Sequence, residues 1–500
     1  MIYRAVLPAE GPLAFGPASV VSRRRLPAWL RALGLPGILA IAISLLGLSL
    51  RIEHALTFDG PKRGADYSAF MSGVAWIREH KERFDFNKGV NSQVQYSPPL
   101  WFAAAAVLQS LTGKERSIAG LAVVGWAVRQ ILLALMLRRI IPQRRWSILA
   151  ALAINAVLPV SVLTDGKVNP EGLHTTLFTV AVYWLWRVER EVTRREGASK
   201  ISAAVFGLFA GLAMLTKATA AVLPIACVAF VLWRAGGITR RDGLGAAWRR
   251  LLVPAMVAGV VWCAVAGWWI APNVIKYGHP FPHTYNYETT FQKVPITYRR
   301  PLGWMLPFEW KEYLALPVIE SGEHPRPNFW AQTITGTWSD AINRGFCRLP
   351  GEEKTSHVWG GYDPVWGGPS VWMTLRCVRV WALLLKIGLF LTLMAFGSTI
   401  YTGWRNLRTR GGEGSLVLPI VIALGGFFVM LFALSFPYDG DAVLNARYFL
   451  PLTTPMAACF GFGLARLERS PRPGARILLG ATLAAIAAVA ILVVDLRWGP

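Results

Sequence analysis

The stretch GLAMLTKATAAVLPI, Gly211–Ile225, holds one full charge, Lys217. It sits inside a run from Ile201 to Trp233 that is otherwise apolar or small and weakly polar. An ammonium buried in hydrocarbon costs at least ~2.5 kcal/mol. The run has 33 residues, too many for one bilayer span and too few for two full ones of ~20 each. Two short spans that meet at Lys217 remove the conflict, because the charge then marks the turn of a helical hairpin at a membrane face. That reading makes the chain an all-α polytopic membrane protein.

The whole chain agrees with this class. It has 500 residues, 54% of them hydrophobic and only 16% charged, with a mean hydropathy of +0.41. A soluble chain of this length carries more charge on its surface. The net charge of +24 would suggest nucleic acid in a soluble protein, but here the basic residues fall in short loops between apolar runs. Arg138, Arg139, Arg144 and Arg145 form one such loop; Arg234, Arg240, Arg241, Arg249 and Arg250 form another; Arg466, Arg469, Arg472 and Arg476 a third. They alternate with loops nearly free of basic residues, which is the positive-inside pattern. No basic and aromatic strand pattern accompanies them, so nucleic acid is not a partner and the bilayer is.

Placing the arginine loops in the cytoplasm yields about eleven spans, with the chain in the cytoplasmic (inner) membrane as one domain, 1–500. The spans fall near Trp29–Leu50, Ile118–Leu137, Trp146–Leu163, Glu171–Arg187, Ile201–Thr216, Ala218–Trp233, Leu251–Ile270, Val380–Tyr401, Leu416–Phe436, Tyr448–Ala465 and Ile477–Val494. The first run has no small-residue cleavage site and reads as a retained span. A first outer loop covers 51–117, and a long outer loop or small subdomain covers 271–379. PPLWFAAAAVLQSL, Pro98–Leu111, is apolar but too short to cross, and counting it would invert every later loop. It reads as an interfacial or re-entrant helix opened by its prolines. DYSAFMSGVAWIREH, Asp66–His80, has helical apolar spacing and reads as an amphipathic helix on the outer membrane face.

Polar residues gather where these loops face outward. Lys167, Lys217 and Arg447 are cations on a face that the charge rule keeps poor in them; Asp165, Asn169, Glu171 and His174 lie beside them in sequence or across loops, and the first loop adds Asp59 and Asp66. Such a set suits chemistry on a membrane-anchored phosphate. Lys and Arg bind the phosphate and offset charge that develops as it leaves, and a carboxylate accepts the acceptor's proton. Plainer roles compete: Lys217 and Arg447 snorkelling to headgroups, Asp165 and Glu171 capping the helix near Pro170, Asp59 in a turn. His279 and His283 are separated by Pro280 and Pro282, so they do not share a helical face as zinc ligands would; substrate contact or loop structure suits them better.

Several stretches together resemble the GT-C fold glycosyltransferases, the superfamily of protein O-mannosyltransferases and lipid A aminoarabinose transferases. GLFAGLAMLTKATAAVLP (Gly207–Pro224) resembles that family's Leu-Thr-Lys hairpin. Asp66–Phe102 resembles its acidic first loop and Pro-Pro-Leu helix, and Asp165–Arg187 its second loop and following span. AGWWIAPNVIKYGHPF (Ala266–Phe281) resembles the exit to the long outer loop, and NARYFLPLTTPMAACFGFGL (Asn445–Leu464) a late span. The resemblance implies a GT-C-like bundle with outer-face juxtamembrane helices. It implies transfer of a sugar from a polyprenyl-phosphate donor to a lipid, glycan or protein acceptor on the outer, periplasmic side of the membrane. It maps the catalytic base to Asp66, with Asp59 as the alternative; the donor phosphate to Lys217 and Arg447, with Lys167 nearby; and an assisting substrate contact to Asn169, Glu171 or Asp165. Some members use a divalent metal and others do not, so no cofactor is assigned. A lipid-linked glycan polymerase or ligase shares these features. A transporter or flippase would show paired halves with broken spans, which the sequence lacks.

A reporter fused after Arg145 is expected to be cytoplasmic, as judged by its activity in whole cells; a reporter active on the outside would invert the whole arrangement.

Overall fold

The computed structural model describes residues 28–57, 67–80, 98–193, 200–278, 280, 334, 337–338, 375–408, 418–435 and 446–498. Among the described residues every regular element is helical. The helices are α1 (Ala28–Thr57), α2 (Tyr67–His80), α3 (Leu100–Thr112), α4 (Arg116–Ile140), α5 (Arg145–Val157) and α6 (Pro159–Asp165). They continue as α7 (Glu171–Thr193), α8 (Lys200–Met214), α9 (Val222–Asp242), α10 (Val253–Tyr277), α11 (Leu375–Arg408), α12 (Leu418–Ser435), α13 (Leu450–Arg469) and α14 (Pro473–Trp498). A helix stands at each of the eleven stretches read as spans. Six are long and apolar enough to cross a membrane, or seven if α5 and α6, bent by 51° at Leu158, form one broken span. Helices α7 and α13 fall short in hydropathy because they bury polar groups inside the protein, among them Glu171, His174, Glu189 and Thr454. The protein is multi-pass.

The hairpin read from Lys217 is present. Helix α8 ends at Met214, Lys217 is extended (φ −157°, ψ 134°), and a 3-10 turn at Ala218–Ala221 leads into α9. What holds α8 in place is less visible in the sequence. Gly207 and Gly211, one helical turn apart, face α10 so closely that a Cβ on Gly207 would lie 2.3 Å from the Ala258 carbonyl oxygen. On Gly211 it would lie 2.8 Å from Val265. Small residues let two backbones approach where lipid supplies no hydrophobic drive between helices. The same device joins α4 to α7, where a Cβ on Gly172 would meet Ala122 at 2.2 Å.

Polar groups add bonds across the bundle. Gln130 Nε2 donates to Ser44 Oγ and to the Leu152 carbonyl, both at 2.9 Å, and Asn155 Nδ2 donates to Gln130 Oε1 at 2.8 Å. Thr454 Oγ1 donates to Asn155 Oδ1, so α1, α4, α5 and α13 share one network. At the arginine-rich end, Arg234 on α9 pairs with buried Glu189 on α7. Glu468 on α13 accepts from the backbone N–H and the hydroxyl of Ser147 in the first turn of α5, where a helix favours a carboxylate.

Helix α2 differs from the amphipathic element read in the sequence in one respect. Its apolar face is covered by protein: Phe70 meets Trp101 edge-on at 5.5 Å, and Val74, Trp101, Phe102, Ile118 and Val168 form a small outer core. Helix α3 has 13 residues and ends at Gly113, whose φ of 67° closes it with an N–H bond to the Gln109 carbonyl. It is too short to cross, as read from its length. Within residues 271–379, the Trp338 ring lies against Gly388 of α11 and its Nε1 donates to Thr392 Oγ1 at 2.7 Å. Cys227, Cys263 and Cys459 are free thiols.

Gly207→Val is expected to lower stability by about 1–3 kcal/mol by prying α8 from α10, read as a lower unfolding temperature in detergent. Gly236→Val, where a Cβ meets open space, should have a much smaller effect.

Candidate functional site

Three separately encoded segments converge on Lys217. Its Nζ lies 3.0 Å from Glu171 Oε1 at the start of α7, and 3.9 Å from the centroid of the Tyr448 ring just before α13. The third segment is the Pro-Pro-Leu helix. Pro98 and Pro99 have no N–H, and the Leu100 N–H donates to the Leu215 carbonyl at 2.9 Å, which hangs α3 from the hairpin tip. The Lys217 side chain is 21% exposed and Glu171 only 3%, so the ammonium is the accessible member of the pair.

Local sequence explains why Glu171 stands there. Asn169 caps α7: its Oδ1 accepts from the Glu171 N–H at 3.0 Å and the Gly172 N–H at 3.4 Å, while its Nδ2 donates to the Thr164 carbonyl at 2.9 Å. The cap therefore belongs to Asn169, and neither Asp165 nor Glu171 serves as one. Glu171 begins the helix, where its charge faces the positive end of the dipole. One turn on, buried His174 sits between Ala213 O, 3.4 Å from Nδ1, and Thr219 Oγ1, 3.0 Å from Nε2. A proton on Nδ1 satisfies both contacts and ties α7 to each side of the hairpin.

Asp165 lies in a different environment. It is fully buried, with Arg51 Nε 3.2 Å from its Oδ2, Arg129 Nη2 2.5 Å from its Oδ1 and Ser161 Oγ donating to Oδ2 at 2.7 Å. Arg51 also donates to the Gly47 and Ala156 carbonyls and to Ser161 Oγ, and its guanidinium lies 4.1 Å from the Trp126 ring centroid. The carboxylate joins α1, α4 and α6, and Asn169 caps α7. Lys167, 7% exposed, is buried in the same loop. Arg447 lies in the 3-10 turn Ala446–Phe449 beside Tyr448; its side chain, like Asp59, Asp66, His279 and His283, lies outside the described residues. Among the described residues no three His, Cys, Asp or Glu side chains cluster as metal ligands.

Sequence reasoning missed Arg51, Arg129, Tyr448 and Thr219. Arg129 carries the signal that singled out Lys217, a full charge within an apolar run, whereas Arg51 stands just past the end of one. The other two carry none, because an aromatic or a threonine at a helix start is ordinary.

Comparison with known proteins now bears on this geometry. Residues 96–267, about a third of the chain, match the family described as dolichyl-phosphate-mannose-protein mannosyltransferase. The matched region includes α3, the Asn169–Glu171 start of α7 and Lys217, and excludes Asp59, Asp66 and Arg447. Among solved structures, the archaeal oligosaccharyltransferase AglB from Archaeoglobus fulgidus, in complex with an inhibitory peptide and a dolichol-phosphate, aligns over 94% of this chain. The TM-score is 0.50 and the identity 12%. The chain has the GT-C fold. This GT-C chain covers 56% of the oligosaccharyltransferase, a little over half its length. A second GT-C protein, ArnT from Cupriavidus metallidurans bound to undecaprenyl phosphate, aligns over 86% of this chain and 78% of its own, at 14% identity and a TM-score of 0.35. No curated protein sequence matches the chain.

Asp165→Asn would leave Arg51 and Arg129 buried without a counter-charge, and is expected to cost about 3–5 kcal/mol. Adding Arg129→Met to that variant should recover part of the loss; both are read from unfolding temperatures in detergent. A double variant no more stable than Asp165→Asn alone would contradict the charge-balance account.

Proposed function

We propose that this protein is a glycosyltransferase that takes a sugar from a polyprenyl-phosphate donor at the outer face of the cytoplasmic membrane and passes it to a lipid, glycan or protein acceptor. The observation that carries this reading is the convergence on Lys217 of the Pro-Pro-Leu helix, the second-loop acid Glu171 and Tyr448 of the late segment. Each belongs to one of the stretches whose order in the chain resembles this class. The match of residues 96–267 to a mannosyltransferase family supports the reaction class, and the bound dolichol-phosphate of the archaeal oligosaccharyltransferase supports a lipid-phosphate carrier.

In this reading Lys217, with Arg447 beside Tyr448, holds the donor's phosphate at the membrane surface while the polyprenyl chain stays in the bilayer. A first-loop carboxylate, Asp66 or Asp59, takes the proton of the acceptor hydroxyl or amine as it attacks the anomeric carbon. The bond from that carbon to the phosphate oxygen breaks, and the cations offset the charge gathering on the leaving group. Asp66 immediately precedes α2, which rests on α3, and α3 is hung from the residue two before Lys217. A change at the hairpin tip would thus propagate to the base.

Incubating the purified protein with a panel of polyprenyl-phosphate sugars together with lipid, glycan and peptide acceptors, and measuring released polyprenyl phosphate, tests the proposal. Asp66→Asn is expected to reduce release about 10²–10⁴-fold while the protein remains folded and multi-pass. If Asp66→Asn is fully active and Asp59→Asn is not, the base is Asp59. Full activity in both would remove the first-loop carboxylate from the mechanism.

A further inference from the structure

We propose that Glu171 is a built-in counter-ion that sets how tightly the Lys217 site holds a lipid phosphate and that disfavours the phosphate monoester left after transfer. The inference rests on Lys217 as the phosphate-binding cation described above, and adds to it a role for the carboxylate beside it.

The geometry gives Lys217 two fixed neighbours. Glu171 Oε1 takes one of its N–H directions at 3.0 Å, and Tyr448 presents its ring at 3.9 Å. The Lys217 side chain is the partly exposed member of the pair, so an arriving phosphate that reaches it shares the cation with a carboxylate already on it. Glu171 is poorly placed to swing away. It is the first residue of α7, its backbone is fixed by the Asn169 cap, and its side chain is 3% exposed. A bound phosphate and the carboxylate therefore repel each other across a few ångströms in a water-poor setting.

That repulsion scales with the charge on the phosphate. A polyprenyl-phosphate sugar is a phosphodiester with one negative charge. When its sugar–oxygen bond breaks, the electron pair stays on the phosphate oxygen and the acceptor's proton goes to the first-loop carboxylate. The leaving polyprenyl phosphate then bears about −1.5 to −2 charges near neutral pH. Glu171 costs little against the first anion and more against the second, so the site accepts donor and expels product. Product departure limits turnover in many enzymes, and a cation without its counter-ion would hold the more highly charged product longer.

The test uses the full-length protein in detergent, with undecaprenyl phosphate as the monoester probe and its methyl ester as the diester probe, binding being read by titration. The unaltered protein is expected to bind the diester at least as tightly as the monoester; a clear preference for the monoester overturns the proposal without any variant. Glu171→Gln should tighten the monoester by about ten- to hundredfold and the diester by less, while Glu171→Asp, which keeps the charge, should stay near the unaltered protein. Lys217→Gln should weaken both probes. If Lys217→Gln weakens binding and Glu171→Gln leaves the monoester unchanged or weaker, the counter-ion role fails and Lys217 keeps its place. If Lys217→Gln binds both probes as before, both readings fall.

Discussion

The buried triad of Arg51, Asp165 and Arg129 is the constraint on which the remaining geometry depends. Two guanidiniums and one carboxylate, all fully buried, lie within a bundle whose outer surface is apolar. Such a group is stable only when each charge is held in register, because removing ions from water is costly and good geometry has to offset it. The register is supplied by three elements at once: α1 brings Arg51, α4 brings Arg129, and α6 brings Asp165 four residues after Ser161. The bend of 51° between α5 and α6 turns the chain so that Asp165 reaches both arginines, and the loop from Gly166 to Pro170 starts from that fixed point. Asn169 and Glu171 thus inherit their positions from this ion cluster. Arg129 Nε and Nη1 have no hydrogen-bond partner among the described residues, so the clamp carries an excess of donors as well as of positive charge.

A second layer of control comes from close backbone approach. Helix α8 delivers the hairpin tip, and its height against α10 is set by Gly207 and Gly211, where no side chain fits. Helix α7 delivers Glu171, and its height against α4 is set by Gly172 over Ala122. Lys217 and Glu171 are therefore brought to 3.0 Å by helices whose spacing is fixed where a glycine lets its neighbour come close. Long flexible side chains do the final reaching, but rigid elements choose where they start.

Much of this was legible in the sequence wherever a charge conflicted with its surroundings. Lys217 inside an apolar run revealed the hairpin, the apolar runs gave the helices, and the length of Pro98–Leu111 gave a helix too short to cross. The separation of Asp165 from Glu171 was not legible. Both are acids in one short loop, and only the folded arrangement shows that one meets two arginines and the other a lysine. Asn169, read as a substrate contact, also caps α7, a role that an amide two residues before a glutamate does not reveal in sequence. The apolar face of α2 read as membrane-facing because periodicity reports that a face is buried without naming its partner, which here is α3. Asp59, Asp66, His279 and His283 lie outside the described residues, so their roles rest on sequence and proposal.

The bond from the Leu100 amide to the Leu215 carbonyl has a consequence for how the protein can vary. It joins two main chains, so it fixes a distance without using either side chain, although both leucines also pack against the core. Scanning with alanine would leave the bond in place and report only the lost packing of each leucine. Proline at position 100 is the one common substitution that deletes the donor itself. The register between the short helix and the hairpin is thus written in the backbone, and side-chain packing reinforces it.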